Sequence, residues 1–299
     1  MGITASLSRG LDLTSEALKQ TMEFQKVKFF ELFKYYIVSA LAGLAGVIGM
    51  AIPLGILFFL LISSIAVGWI AIVGAVLLGM AALAIMVVAT VFATSVIFAS
   101  IRYVMSGQKE PYFQNKDYKP ALGYVLFYGI VVGAAYVLFL GIPLFLIFGS
   151  MFAPLLSQDS STAAGLMVGG AMVGYMLLLA GILLFAITLV AFNVSFMYGI
   201  YEIAAEGLAP VPALKRSYAL LKANFWETIA FMAIMMGVSY AIGLASNVII
   251  LPLVMISMFF PPFLILAVPV LVLVSLATRV LTVPLYVFFW QKIRTSPAA

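Results

Sequence analysis

Neither cysteine nor histidine occurs among the 299 residues, and only 8% of the chain is charged. The first absence removes disulfides, thiolate nucleophiles and zinc–thiolate sites. The second removes the commonest general base, the commonest metal ligand and the usual neutral-pH switch. Charge at 8%, against about 25% in soluble domains, is too sparse for a globule that faces water. No phosphate-binding loop, dinucleotide fingerprint or nucleophile elbow is found. The expectation is a protein that is not an enzyme and uses no metal or cofactor.

What is present is apolar: 66% of the residues, gathered in long runs. Residues 35–101, between Lys34 and Arg102, carry no charge, which is enough for two helical crossings of about 20–30 residues. A turn is expected at "ISSIAVG" (62–68). The run 120–201 is divided by "SQDSST" (157–162), and the run from Phe225 to Trp290 by "FFPPF" (259–263), whose prolines should end a helix. Six spans follow, near 35–62, 69–103, 121–150, 163–203, 226–256 and 263–290. Backbone polar groups in hydrocarbon must be satisfied internally, and the dyad polar alternation of barrel strands is missing. The fold class expected is therefore all-α: a polytopic membrane protein with six transmembrane helices. Residues 1–34 would form a cytoplasmic or interfacial segment, and 35–299 a single transmembrane domain.

With six spans, both termini share a side with the loops 104–120 and 204–225. That side collects every one of the 15 lysines and arginines except Arg279, while the opposite loops hold only Asp159. Basic residues mark the cytoplasmic face, so both termini should be cytoplasmic in a cell membrane. The net charge of +5 thus reads as topology and not as nucleic-acid binding.

Short patterns recur in order. "IPL" (52–54), "IPL" (142–144) and "LPL" (251–253) mark the odd spans, and "ATSV" (93–96), "AFNV" (191–194) and "ATRV" (277–280) the even ones. "KFFELF" (28–33) parallels "NFWETI" (224–229), and "KPALGY" (119–124) parallels "VPALKR" (211–216). These suggest three helical-hairpin repeats, about 1–104, 105–205 and 206–299.

The stretch "VPALKRSYALLKANFWETI" (211–229) interrupts the apolar background. On a helical wheel Leu214, Tyr218, Leu221 and Phe225 share an arc, with Lys215, Arg216 and Lys222 off it. This predicts an amphipathic helix at the cytoplasmic interface, its cations toward anionic headgroups. Residues 14–34 look like a longer counterpart, capped by Thr14 or Ser15 and carrying Lys26 and Lys28. "PALKRSYALLKANFWETI", followed directly by a transmembrane segment, resembles a signature of prokaryotic multi-pass proteins, many of them archaeal. These are the membrane domains found beside glycerophosphoryl diester phosphodiesterases, and their uncharacterised relatives. The resemblance is clearest over 198–250 and implies a membrane architecture. Catalysis in the enzyme relatives belongs to a separate soluble barrel, so it implies no catalytic residue here.

Arg279 is the costly residue. It stands 11 positions before Trp290, and a basic side chain near a bilayer centre costs at least about 2.5–3.5 kcal/mol, which marks it as a candidate site. Ser275, Arg279, Thr282 and Tyr286 fall on one helical face, and Pro284 removes the hydrogen bond to the Val280 carbonyl. Ser95 and Asn193 hold the equivalent places in the other repeats, so Ser95, Asn193 and Arg279 are expected to converge on a polar site. A guanidinium without an intramembrane carboxylate favours an anion: a lipid phosphate, chloride or a small carboxylate. The alternative is that Arg279 snorkels to the interface. The glycine pairs Gly129/Gly133, Gly165/Gly169 and Gly170/Gly174 read as close-packing faces, within the bundle or between protomers of a homo-oligomer. Lipid or anion binding, transport, and membrane organisation are the functions left open, with membrane lipids the expected partners.

Overall fold

The computed structural model describes residues 2–63, 68–151, 160–260 and 264–295. The chain is all-helical, with no strand among the described residues. Nine α-helices are described there: α1 (Ile3–Ser63), α2 (Gly68–Ser106), α3 (Asn115–Tyr136), α4 (Ile142–Met151), α5 (Ser160–Ser195), α6 (Gly199–Glu206), α7 (Pro210–Ala223), α8 (Phe225–Phe259) and α9 (Leu264–Thr295). A π-helical turn, Val137–Gly141, joins α3 to α4. Six stretches are long and apolar enough to cross a membrane, as a multi-pass membrane protein requires. The expected turns at 62–68, 157–162 and 259–263, with Asp159, lie largely outside the described residues.

The chain divides into two compact units: Met1–Leu122 with Tyr198–Ala299, and Gly123–Met197. In the first unit α1 is a continuous helix of 61 residues, about 90 Å long. This corrects two expectations. The segment 14–34 does not start a helix of its own, and Thr14 is not a cap. Thr14 is buried mid-helix and donates to the Gly10 carbonyl at 2.7 Å, as Thr21 does to Ala17 at 2.8 Å. Ser6, Gly10, Thr14, Ala17 and Thr21 form a buried stripe at helical spacing. Their small size lets α1 lie close to α8: a Cβ on Gly10 would stand 2.7 Å from the Glu227 Cα.

α2 returns along α1, with Ser39 donating to the Ala93 carbonyl at 3.2 Å and Gly46 set against Ala89. α9 also runs antiparallel to α1, with Lys292 bonded to Glu16 near one end. The carbonyl freed by Pro284 is not left bare. The Gln25 amide reaches across and donates to Val280 O at 3.1 Å and Leu281 O at 3.3 Å. A side-chain amide so placed lets a proline sit inside a lipid-level helix without an orphaned acceptor.

Around the α2–α3 loop, Arg102 reaches Glu110 and Asp117, both at 2.7 Å, and the Ala204 carbonyl at 3.2 Å. Tyr35 fixes the same loop, donating to the Glu110 carbonyl at 2.5 Å and accepting its N–H at 3.0 Å. The short α6 ends at Gly207, whose φ of +65° closes the helix through its N–H on the Ile203 carbonyl. The fourth span therefore stops at Ser195, short of the expected 203.

In the second unit the π turn sits where Pro143 withholds an N–H from the Phe139 carbonyl. α5 packs on α4 through Gly170 against Ser150, Gly174 against Ile147 and the Pro143 carbonyl, and Gly181 against the Phe139 carbonyl. The predicted pair Gly170/Gly174 is thus a packing face. Gly129, Gly133, Gly165 and Gly169 have open space where a Cβ would stand. Consecutive helices pair as α1–α2, α4–α5 and α8–α9. The three matched prolines stand in unlike settings, with Pro53 inside unbroken α1, Pro143 after a π turn and Pro252 inside α8.

Candidate functional site

Arg279 is exposed and stands at a cleft of about 500 Å³ between α1, α2 and α9. Tyr36, Ser39, Thr90, Thr94 and Ser275 bring five hydroxyls to the same walls, with Ala40, Ala93, Ile97, Val272 and Leu276 between them. Ser39 and Thr90 donate to their own helix or its neighbour, at the Ala93 and Met86 carbonyls. The Tyr36 hydroxyl, on a residue 2% exposed, has no hydrogen-bond partner at normal geometry. The hydroxyl of Ser100 next to it donates to the Ile97 carbonyl. Among the described residues, no carboxylate lies within ion-pairing distance of Arg279.

The cleft also locates Arg279 along the bundle. Its α1 wall begins at Tyr36, two residues beyond Lys34, the last charge before the long apolar run. At 1.5 Å per residue, Arg279 lies within about one or two helical turns of the charged end of α1. Along α9 itself Arg279 stands 11 positions before Trp290, in a helix that carries no other charge until Lys292.

The companions predicted from the sequence differ in their local settings. Ser275 shares the cleft. Ser95 is fully buried and donates to the Val91 carbonyl, and Thr282 donates to that of Thr278. Asn193, exposed in the second unit, donates to the Leu189 carbonyl. Tyr286 lines a different hollow with Met232, Met235, Met236, Ser239 and Tyr240, and meets Phe231 edge-on at 5.0 Å. Each of these polar groups on Ser95, Thr282 and Asn193 is spent on its own helix, the usual way a hydroxyl or amide survives in an apolar helix. Tyr36, Ser39, Thr90 and Thr94 were missed, because the repeat pattern drew attention to position 95 and passed over its neighbour.

The predicted headgroup lysines and arginine also differ. Lys26, Lys215 and Lys222 are exposed. Lys28 instead turns inward, donating to the Gly107 carbonyl at 3.4 Å with its ammonium 5.8 Å from the Tyr103 ring centre. Arg216 is engaged by Glu206 and lies 3.6 Å from Glu202. α7 docks through Ala213, Ser217 and Leu221, and Ser217 Oγ accepts the Tyr198 N–H at 3.1 Å. Of the predicted apolar arc, Leu221 is buried in protein, whereas Tyr218 (56%) and Phe225 (47%) stay exposed. No group of three or more acidic, His or Cys side chains that could hold a metal exists among the described residues.

These features define a multi-pass α-helical membrane protein with an arginine-and-hydroxyl cleft. Comparison with protein-family models, curated proteins and solved structures returns no match to the chain.

Proposed function

We propose that the protein is a non-catalytic integral membrane protein that binds the phosphate of an anionic lipid headgroup at the Arg279 cleft. The observation that carries this is an exposed guanidinium with no carboxylate partner among the described residues, sharing its cleft with five hydroxyls. Arginine offers a planar fork of donors suited to phosphate oxygens, and the Tyr36 hydroxyl would supply one more. The proximity of the cleft to the charged end of α1 supports headgroup depth, given a topology with both termini in the cytoplasm. The resemblance over 198–250 to membrane domains found beside phosphodiesterases is consistent with this reading.

The test is lipid retention in nanodiscs of phosphatidylglycerol against phosphatidylcholine, read by native mass spectrometry. Wild type should prefer the anionic lipid, and Arg279→Gln should lose about tenfold of that preference, in line with about 1.5–3 kcal/mol for a charged hydrogen bond. Equal retention by both proteins sinks the reading. Arg279-dependent chloride flux in proteoliposomes would replace it with transport.

A further inference from the structure

Some 15 residues beyond Arg279 on α9, about 22 Å along the helix, a second polar cluster has a different composition. Glu202 and Glu206 of α6, Arg216 of α7 and Arg294 of α9 line a cleft of about 490 Å³, floored by Ala219 and Leu220. Two carboxylates face two guanidiniums, so the formal charges balance. Glu206 takes hydrogen bonds from both arginines. Glu202 is 1% exposed, and its two oxygens fare differently. Oε1 accepts the indole N–H of Trp290 at 3.2 Å and stands 3.9 Å from Arg294 Nε. Oε2 accepts no hydrogen bond; its closest cation, Arg216 Nη1, is 3.6 Å away. The Arg294 guanidinium lies over the Trp290 ring, 5.2 Å from its centre.

Glu202 Oε2 is thus ion-paired with Arg216 at 3.6 Å but accepts no closer hydrogen bond, so it keeps capacity for a donor. A cation alone would meet two guanidiniums, and an anion alone two carboxylates. A molecule carrying both charges meets neither repulsion. Arg216 and Arg294 remain 52% and 38% exposed, so each keeps outward N–H groups beyond those held by Glu206. We infer that this cleft binds a zwitterion with an N–H-bearing ammonium close to a phosphate or carboxylate: the ammonium donates to Glu202 Oε2, and the anionic group takes the outer N–H groups of Arg216 and Arg294. A primary ammonium fits and a trimethylammonium does not, because only the former can donate a hydrogen bond. Phosphoethanolamine chemistry satisfies both halves, whether as a lipid headgroup or as a free molecule. The site is separate from the Arg279 cleft and stands or falls without it.

Trp290 reports on this site directly. In full-length protein with Trp69→Phe and Trp226→Phe, its fluorescence is followed in nanodiscs of phosphatidylcholine titrated with phosphatidylethanolamine, and separately with free phosphoethanolamine. The expected result is a saturable change with the ethanolamine lipid or the free compound, at least tenfold tighter than any response to choline forms. Saturation by lipid only assigns the headgroup as ligand; saturation by the free compound assigns a soluble zwitterion. Glu202→Gln keeps an acceptor for the indole, yet should erase the ethanolamine-over-choline preference. Should Glu202→Gln fail to fold, Arg216→Gln serves in its place. It should weaken ethanolamine binding about tenfold while the preference over choline persists. No response to either probe, equal response to ethanolamine and choline, or unchanged binding in both variants overturns the proposal. Arg279 is untouched throughout, so failure here leaves the first cleft unjudged.

Discussion

The unit formed by Met1–Leu122 with Tyr198–Ala299 and the unit Gly123–Met197 solve one packing problem with different chemistry. The first is laced with charge: Arg102 joins Glu110 and Asp117, Arg9 approaches buried Glu227 at 3.8 Å, and Gln25 caps the carbonyl that Pro284 releases. The second has one charged residue, Asp159, which lies outside the described residues. It holds together by glycine notches on α5 and by a ladder of rings, including Phe192 and Phe196 stacked at 5.8 Å and Tyr124 on Phe196 at 5.7 Å. Between helices in lipid there is no hydrophobic drive to associate, so close backbone approach and ring contact must supply the attraction. Where helices project beyond the apolar zone, ion pairs and hydrogen bonds are the available adhesive. Among the described residues the candidate sites occur in the charged unit, where polar groups are more numerous.

The largest expected effect is at Arg102, 13% exposed between two carboxylates. Arg102→Gln strands Glu110 and Asp117 and should cost about 3–5 kcal/mol, seen as loss of folded protein in detergent melting. A variant that melts like wild type would show that the ion pairs do not hold the first unit. Next is Gly181→Val in the second unit, which drives a branched side chain onto the Phe139 carbonyl. Overpacking of about 1–3 kcal/mol is expected, with the change confined to the α4–α5 region in hydrogen exchange. Gln25→Leu should cost about 1–3 kcal/mol by orphaning Val280 O, and Gln25→Leu combined with Pro284→Ala should recover most of it. That double variant separates carbonyl capping from general packing.

A smaller effect concerns pH. Burial alone would raise the Glu206 carboxyl, but hydrogen bonds from Arg294 and Arg216 outweigh it and hold the group below its ordinary range. A lowered carboxyl stabilises the fold above the unfolded value and loses that contribution as pH falls through the folded one. Melting between about pH 5 and 3 should therefore drop in wild type and flatten in Glu206→Gln. The smallest effect is expected at Gly129→Ala and Gly165→Ala, where open space awaits a methyl group. Melting should stay within about 0.5 kcal/mol of wild type. A shift in mass by light scattering would instead identify those faces as contacts between protomers.

Much of the architecture was legible in residue order. Six spans, the helix at 210–223 and the glycines 170 and 174 were readable because hydropathy, capping prolines and small-residue spacing act locally. The candidate site was legible only at Arg279 and Ser275, which share one helix face. Tyr36 and Thr94 come from helices far away in the chain, and nothing in their own surroundings distinguishes them from other hydroxyls. Similarly, Arg216 looked like a headgroup ligand on its own helix, since Glu206 and Arg294 become its neighbours only after folding.

By itself the sequence determined where the chain leaves water: runs of uncharged residues must be helical in lipid, whatever they pack against. Tertiary structure alone decided which polar groups found partners. Pairing depends on distances across helices separated by as many as 276 positions, as between Glu16 and Lys292, and no periodicity along one helix encodes that.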